Sequence, residues 1–261
     1  MQQNPILKTF ACLGTTLLLL CTSIVVSATQ ESGLKGSECV VVLHGMGRTA
    51  YSMDEIEKVL RGAGYRVWNK AYPSLSETIE TLSQQTIDEA LQYCREHSDS
   101  SIHFVTHSLG GILLRHYLQT NNIDGLGKVL MLSPPNHGSE IVDKYKDNWL
   151  FRTVMGPAFL QLGTDGIVQT LQPIAGTIGI ITGNVSSDPW FSDAIPGPDD
   201  GKVSVESAKL AEMQDFLIVP AGHTFIMDDA MVVQQVQHFL REGRFQRAEH
   251  SENRSGHNSS Q

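Results

Sequence analysis

Basic residues are scarce in this chain. Nineteen Lys and Arg stand against 28 Asp and Glu in 261 residues, a formal charge of −9. A surface of that sign repels polyanions, so nucleic acid is excluded as a partner and electrostatic attraction to anionic lipid is disfavoured. Apolar contact with a lipid substrate stays open. Internal repeats are absent, which removes the solenoid architectures. Asp and His do not fall at metal-ligand spacings, so neither a metal nor an organic cofactor is expected. Cysteine is rare: Cys12, Cys21, Cys39 and Cys94 are the full set.

One apolar run stands out, Phe10 to Val26, preceded by Lys8 and followed by Val26-Ser27-Ala28. A basic flank, an apolar stretch and small residues at −3 and −1 predict a secretory signal peptide over residues 1–28, cut after Ala28. An uncleaved anchor is the alternative, since the run approaches the ~18 residues that can span a bilayer. Export leaves Cys39 and Cys94, and an even count in an exported protein invites a disulfide; two buried thiols are the alternative. The folded domain is expected over 29–243, with a polar, disordered tail over 244–261.

Cys39-Val40-Val41-Val42-Leu43 is a continuous apolar run, the pattern of a strand buried on both faces of a parallel sheet. It ends in His44-Gly45-Met46-Gly47. Ser52 with Glu55, and Ser74 with Glu77, read as capping boxes opening two helices. Further strands are expected at Tyr65–Lys70, Ile102–Thr106, Gly127–Leu132, Thr177–Thr182 and Asp215–Pro220. The last helix opens at Asp228. Residues 136–176 read as short helices capping the sheet, with a plain crossover as the alternative. Alternating strands and helices predict an α/β fold with a doubly wound, mostly parallel sheet. Ligands bind such sheets beyond the carboxyl ends of the strands.

Ser108 stands at one such end, between Ile102-His103-Phe104-Val105-Thr106-His107 and the helical pattern that follows Gly110-Gly111. A serine held between a strand end and a helix start is a nucleophile elbow. Gly110 meets the need for a small residue after it; Thr106 stands where a glycine usually precedes it. A serine hydroxyl needs a base, and the base needs an orienting carboxylate. The usual order is Ser, acid, His. His223, between the last strand and the last helix, fits the base. His137 is the rival and reads as a cap or cleft residue; His103, His107 and His116 read as packing or hydrogen-bonding groups. Asp188, Asp193, Asp199 and Asp200 are the acid candidates, with Asp200 chosen and Asp199 second. Asp165-Gly166-Ile167-Val168 copies the pattern of Asp200-Gly201-Lys202-Val203 but belongs to the cap. Backbone N–H groups of Met46 and Leu109 are the expected oxyanion donors.

Val41-Val42-Leu43-His44-Gly45-Met46, Thr106-His107-Ser108-Leu109-Gly110-Gly111, Asp200-Gly201-Lys202-Val203 and Gly222-His223 together resemble the α/β-hydrolase superfamily. Within it they are similar to bacterial lipases and esterases with an HGM-type oxyanion loop and a DGxV acid motif. The resemblance spans roughly 39–242. It implies a compact α/β-hydrolase with a small helical cap and an exported serine carboxylester hydrolase using Ser108, Asp200 and His223. The substrate would be an apolar acyl ester, with lipid contact through the cap. Acyltransferase or amidase chemistry on the same residues, or ligand binding without turnover, are the alternatives. In this fold the Cys39 strand lies beside the Ser108 strand, so Cys39 and Cys94 would meet at the edge of the sheet away from the chemistry.

Overall fold

The structure, a computed structural model, describes residues 38–98, 100–187 and 189–247. The expected signal peptide, Asp188 and the tail beyond residue 247 lie outside the described residues.

Six strands form one sheet: β1 (Cys39–Leu43), β2 (Arg66–Asn69), β3 (Ile102–His107), β4 (Leu126–Leu132), β5 (Thr177–Gly183) and β6 (Asp215–Val219). Their order is β2-β1-β3-β4-β5-β6, and every pairing is parallel. All residues of β1 and β3 are buried; β1 is apolar on both faces, while β3 carries His103, Thr106 and His107 among its buried residues. The strand order reverses between β1 and β3, and a crevice opens beyond their carboxyl ends.

Alternate residues of each strand feed two cores. Val40, Val42, Val105 and Ile181 pack against α1 (Asp54–Gly62) and α8 (Ala230–Glu242) through Ile56, Leu60, Val232 and Phe239. Val41, Leu43, Phe104 and Met131 pack against α2 (Ile79–His97) and α3 (Leu109–Tyr117) through Leu82, Ile87, Leu91 and Ile112. Helices on both faces make the sheet doubly wound, as the alternating pattern predicts.

Three helix starts differ from the sequence reading. Ser52 donates its hydroxyl to Thr49 O at 2.8 Å and α1 begins at Asp54, so Ser52 and Glu55 form no capping box. Ser74 accepts from Gly47 N at 3.0 Å, and Thr78 caps α2 instead. Asp229, not Asp228, caps α8, accepting from Met231 N and Val232 N. Both serines have been recruited to hold the turn after β1.

Between β4 and β5 lie α4 (Glu140–Tyr145), α5 (Trp149–Leu160) and a 3-10 turn at Ile167–Thr170. Gly156 breaks α5 at φ 74°, just before Pro157. Between β5 and β6 lie α6 (Pro189–Ser192) and α7 (Val205–Ala208). The fold also runs past the expected boundary at 243. Phe245 is buried against Phe239, its N–H donates to Asp215 Oδ2 at 2.7 Å, and Arg247 pairs with the same carboxylate. An aromatic and a cation within a polar stretch found an apolar pocket and an acid once Gly243 reversed the chain.

Cys39 and Cys94 form a disulfide with their Cα atoms 5.6 Å apart. It ties the start of β1 to the last turns of α2, at the opposite end of the strand from His44. Closing 55 residues restricts the unfolded chain by about 4 kcal/mol in the loop-entropy account. Cys39→Ser with Cys94→Ser should therefore lose stability of that order in urea unfolding, and dithiothreitol should lower the wild-type midpoint toward the same value. A midpoint indifferent to reductant would contradict the assignment.

Candidate functional site

β3 delivers Ser108 to the crevice, and α3 starts at the next residue. Ser108 has φ 51° and ψ −118°, a conformation L residues rarely adopt. Such strain persists only where the surroundings impose it. Ser108 N donates to Leu132 O at 2.9 Å, and Gly111 N to Ser108 O at 3.0 Å. A Cβ at Gly110 would lie 2.8 Å from Leu43 O and 3.1 Å from His44 O, so the helix can meet β1 only without a side chain there. Thr106, the departure from the usual elbow, is fully buried. Its hydroxyl lies 3.2 Å from where a Cβ at Gly111 would stand, so Gly111 supplies the space that Thr106 takes up.

His223 sits in a 3-10 turn after β6, Asp200 in the segment between α6 and α7. His223 Nδ1 lies 2.8 Å from Asp200 Oδ2, and His223 Nε2 lies 3.0 Å from Ser108 Oγ. An ionised carboxylate only accepts, so Nδ1 carries the proton and Nε2 is left to accept from the serine hydroxyl. Asp200 Oδ1 accepts from Lys202 N at 3.0 Å and Val203 N at 2.9 Å. Burial works to raise the Asp200 pKa, but the charge and hydrogen bond of His223 and the Val203 N–H outweigh it and hold it below the ordinary carboxyl value. The long excursion after β5 folds back on its origin: a Cβ at Gly183 would overlap Ala221 O and lie 3.0 Å from Asp200 Cβ. Asp200 thus returns to the end of β5.

Asp199, the second choice, faces away. It accepts from Gly201 N at 2.7 Å and Ser192 Oγ at 2.8 Å, shaping the turn that presents Asp200. Gly201 holds φ 96° in that turn. Asp193 is exposed, and Asp165 pairs with Lys146 on the surface. His137 corrects its reading as a cleft residue: it is exposed, in a separate surface hollow with Glu140 and Glu206. The turn at Gly138 keeps Asn136 inside, where it accepts from Arg115, and leaves the His137 ring outside.

His107 and His44 brace the site. His107 donates Nε2–H to His223 O at 3.0 Å. Burial, and then the charge of His223, keep its pKa well below the usual histidine value. His44 donates Nδ1–H to Gly45 O at 2.8 Å, accepts from Tyr72 N at 3.2 Å and stacks on the Tyr72 ring at 3.9 Å. Tyr72 donates its hydroxyl to His44 O. The turn after β1 is therefore fixed against the serine. Its neighbouring N–H groups are committed, Gly47 to Ser74 Oγ and Arg48 to Gly45 O at 3.3 Å. The Tyr72 contact was not read from the sequence, because it joins residues 28 positions apart.

A cavity of about 220 Å³ opens from Ser108 and His223. Met46, Ile141, Val142, Met155, Phe159 and Leu162 give it apolar walls, so α4 and α5 form one side. Arg48 and Lys202 are the charged residues along it. A serine, an imidazole and a buried carboxylate in line beneath an apolar cavity can move a proton from the hydroxyl as it attacks an acyl carbon.

The Asp200 shift has a consequence for stability. Its pKa is depressed on folding, so its ionised form stabilises the fold above the unfolded value of about 4 and that contribution is lost as pH falls through the folded value. Asp200→Asn should be less stable than wild type at pH 7, with the gap narrowing below about pH 4 as the wild-type carboxyl takes up its proton. Urea unfolding across pH checks this; a gap that stays constant with pH would contradict it.

Among known proteins, a family model described as palmitoyl protein thioesterase matches residues 39–171. The matched stretch carries the Ser108 elbow and ends before Asp200 and His223. No curated protein matches the chain. The mature lipase BlEst2 of Bacillus licheniformis superimposes with a TM-score of 0.63 at 16% identity, covering 80% of this chain and 93% of that one. An esterase of Exiguobacterium antarcticum gives 0.57 at 14%, covering 79% and 93%. The phospholipase PlaB of Legionella pneumophila gives 0.55 at 19%, covering 66% and 46%. These likenesses are of fold, and the fold is that of the α/β-hydrolases. The family match spans just over half of the sequence, from β1 through the elbow and α5, and on that ground the chain belongs to the palmitoyl protein thioesterase family.

Proposed function

We propose that this protein is an exported serine hydrolase that cleaves carboxylic esters of apolar acyl groups through an acyl-enzyme on Ser108. The observation that carries the reading is the unbroken line from Ser108 Oγ through His223 to Asp200, at 3.0 and 2.8 Å, on the floor of an apolar cavity. Ser108 Oγ attacks the acyl carbon as His223 Nε2 takes its proton. The imidazolium is held by Asp200 and then protonates the leaving alcohol. Water, deprotonated by the same nitrogen, releases the acid and restores the serine. Met46 and Leu109 N–H groups receive the developing oxyanion, each worth roughly 3–4 kcal/mol in the transition state. The α3 N-terminus adds its positive end.

The acyl chain lies against Met155 and Phe159. On α5 itself, Trp149, Leu150 and Val154 are exposed, and Trp190 on α6 is 77% exposed. These side chains suit contact of the cap with lipid. Export agrees with the disulfide, which forms in oxidising compartments. Among the described residues no helix is long and apolar enough to cross a membrane.

The family match favours a second reading, hydrolysis of acyl thioesters by the same residues. The chemistry differs only in the leaving atom, and a thiolate needs less help from His223 to depart.

Hydrolysis of nitrophenyl butyrate, nitrophenyl palmitate and a palmitoyl thioester tests both readings. Wild type should turn over at least one class. Ser108→Ala should lower kcat by about 10⁴-fold or more, and Asp200→Asn by about 10²- to 10⁴-fold. Equal rates in wild type and Ser108→Ala would sink the serine mechanism; preference for the thioester would select the second reading.

A further inference from the structure

Beside the apolar cavity lies a second, wider hollow of about 930 Å³, open to solvent and different in chemistry. It runs along α1, from Asp54 to Arg61, beside the turn that carries His223. Arg48 lines both, so the two meet at the mouth of the serine site. The apolar side accepts an acyl chain, and the group on the other side of the scissile bond must leave through polar surroundings.

The charges in this hollow are only partly paired: Arg61 pairs with Glu57 at 2.7 Å and Lys58 lies 3.8 Å from Glu55. Arg48 Nε is buried without an acceptor, and among the described residues no carboxylate stands within ion-pair distance of its guanidinium; the Phe225 ring lies 5.5 Å beneath it. Along the hollow stand Asp54, Glu55, Glu57 and Asp228, with Lys58 and Arg61 among them. Burial raises the Asp228 pKa against the opposing charge of Arg48, and Glu55 raises it further; four carboxylates against the two cations Lys58 and Arg61 give this stretch an excess of negative charge. Glu55 has only a long contact with Lys58, at 3.8 Å, and both side chains are exposed. Two aromatic rings, Tyr51 and Phe225, project into the same space at 82% and 65% exposure. A cation that lines both the serine cavity and this hollow, an excess of carboxylates along α1 and at Asp228, and two exposed ring faces describe a ligand with an anion close to the ester and an organic cation beyond it.

We infer that this hollow is the leaving-group subsite for a zwitterionic alcohol, a glycerol bearing a phosphate joined to a quaternary or primary ammonium. Arg48 meets the phosphate; Tyr51, Phe225, Glu55 and Asp228 meet the ammonium. The inference rests on the hydrolase reading and names the substrate class of that site: acyl esters of a phosphocholine- or phosphoethanolamine-bearing glycerol. The reaction is unchanged. The ester C–O bond breaks, the alcohol leaves with the proton from His223, and water supplies the hydroxyl of the released acid. A zwitterion has no net charge, so the −9 of the chain does not oppose its approach.

Two measurements separate this inference from the hydrolase reading. The first is kcat/KM on monomeric octanoyl esters of glycerol, glycerol phosphate and glycerophosphocholine, with nitrophenyl butyrate as the reference. The expected order places glycerophosphocholine highest, at least tenfold above glycerol. Arg48→Gln should bring it within threefold of glycerol, read as the ratio of the two esters within the variant. Asp228→Asn should remove the advantage of phosphocholine over phosphate alone. The second is binding of glycerophosphocholine, which has no acyl chain, to the Ser108→Ala protein by NMR titration. Saturable binding weakened fivefold or more by Arg48→Gln supports the subsite even if no ester is turned over, an outcome that would defeat only the hydrolase reading. Equal kcat/KM for glycerol and glycerophosphocholine esters, a preference that survives Arg48→Gln, or preference for an acylated peptide over the lipid esters would each overturn the inference and leave ester hydrolysis standing.

Discussion

Between α3 and β1 there is no room for a side chain. Gly110 faces the Leu43 and His44 carbonyls at distances a Cβ could not keep, and Gly111 faces Thr106 and Pro134 on the other side. This close approach seats the first turn of α3 directly behind Ser108 and holds its backbone at φ 51°. Two consequences follow. The serine hydroxyl projects beyond the sheet, and the N-terminal amides of the helix lie behind it. The turn after β1 is drawn to the same place, because Gly45 packs on the His107 ring and the Ser108 side chain. The strain is held by β1, β3 and the buried carboxyl half of β4, which run parallel around it.

The imidazole is fixed in an equally definite way. His223 is held through its Nδ1 by Asp200, through its backbone N–H by Asp200 O at 2.8 Å, and through its carbonyl by His107. Two segments distant in sequence, those of Asp200 and His107, converge on one residue whose own segment is only a turn. Groups set in place before substrate arrives need no reorganisation during reaction, which is where fixed hydrogen bonds outperform water. α4 and α5 line the cavity through Ile141, Val142, Met155 and Phe159, while Ser139, ahead of α4, donates to Lys202 O at 2.9 Å beside the Asp200 turn. Substrate preference and chemistry are therefore separable: Met155 and Phe159 shape one side, Arg48 the other, and neither set holds the base.

The strands were legible because a parallel sheet buries both faces, and runs such as Val40-Val41-Val42 and Ile178–Ile181 have no other use. Ser108 and His223 were legible because each sits at a junction of strand and helix pattern. Helix starts were not. Ser52 and Ser74 carry the local signal of a cap, but their hydroxyls serve the turn after β1, a tertiary demand that a four-residue pattern does not contain. Asp200 followed from its motif, yet its distance from β5 concealed how it reaches the site; the return is made possible by Gly183, which leaves space for it. Thr106 looked like a defect and is matched by Gly111 one turn into the helix. His137 read as a cap or cleft residue, and the turn at Gly138 leaves it on the surface, outside the cleft. The unmatched charge of Arg48 had no sequence signal at all, since one arginine after a strand is ordinary until its surroundings are seen.

The account stands on Ser108 being the group that attacks. Stoichiometric labelling with a fluorophosphonate, read by mass spectrometry of the intact protein and its peptides, tests this without assuming any substrate. One phosphonyl group per chain, on the peptide containing Ser108, absent in Ser108→Ala and greatly slowed in His223→Ala, is the result expected. No adduct, or an adduct on another residue such as the neighbouring Ser139, would contradict it.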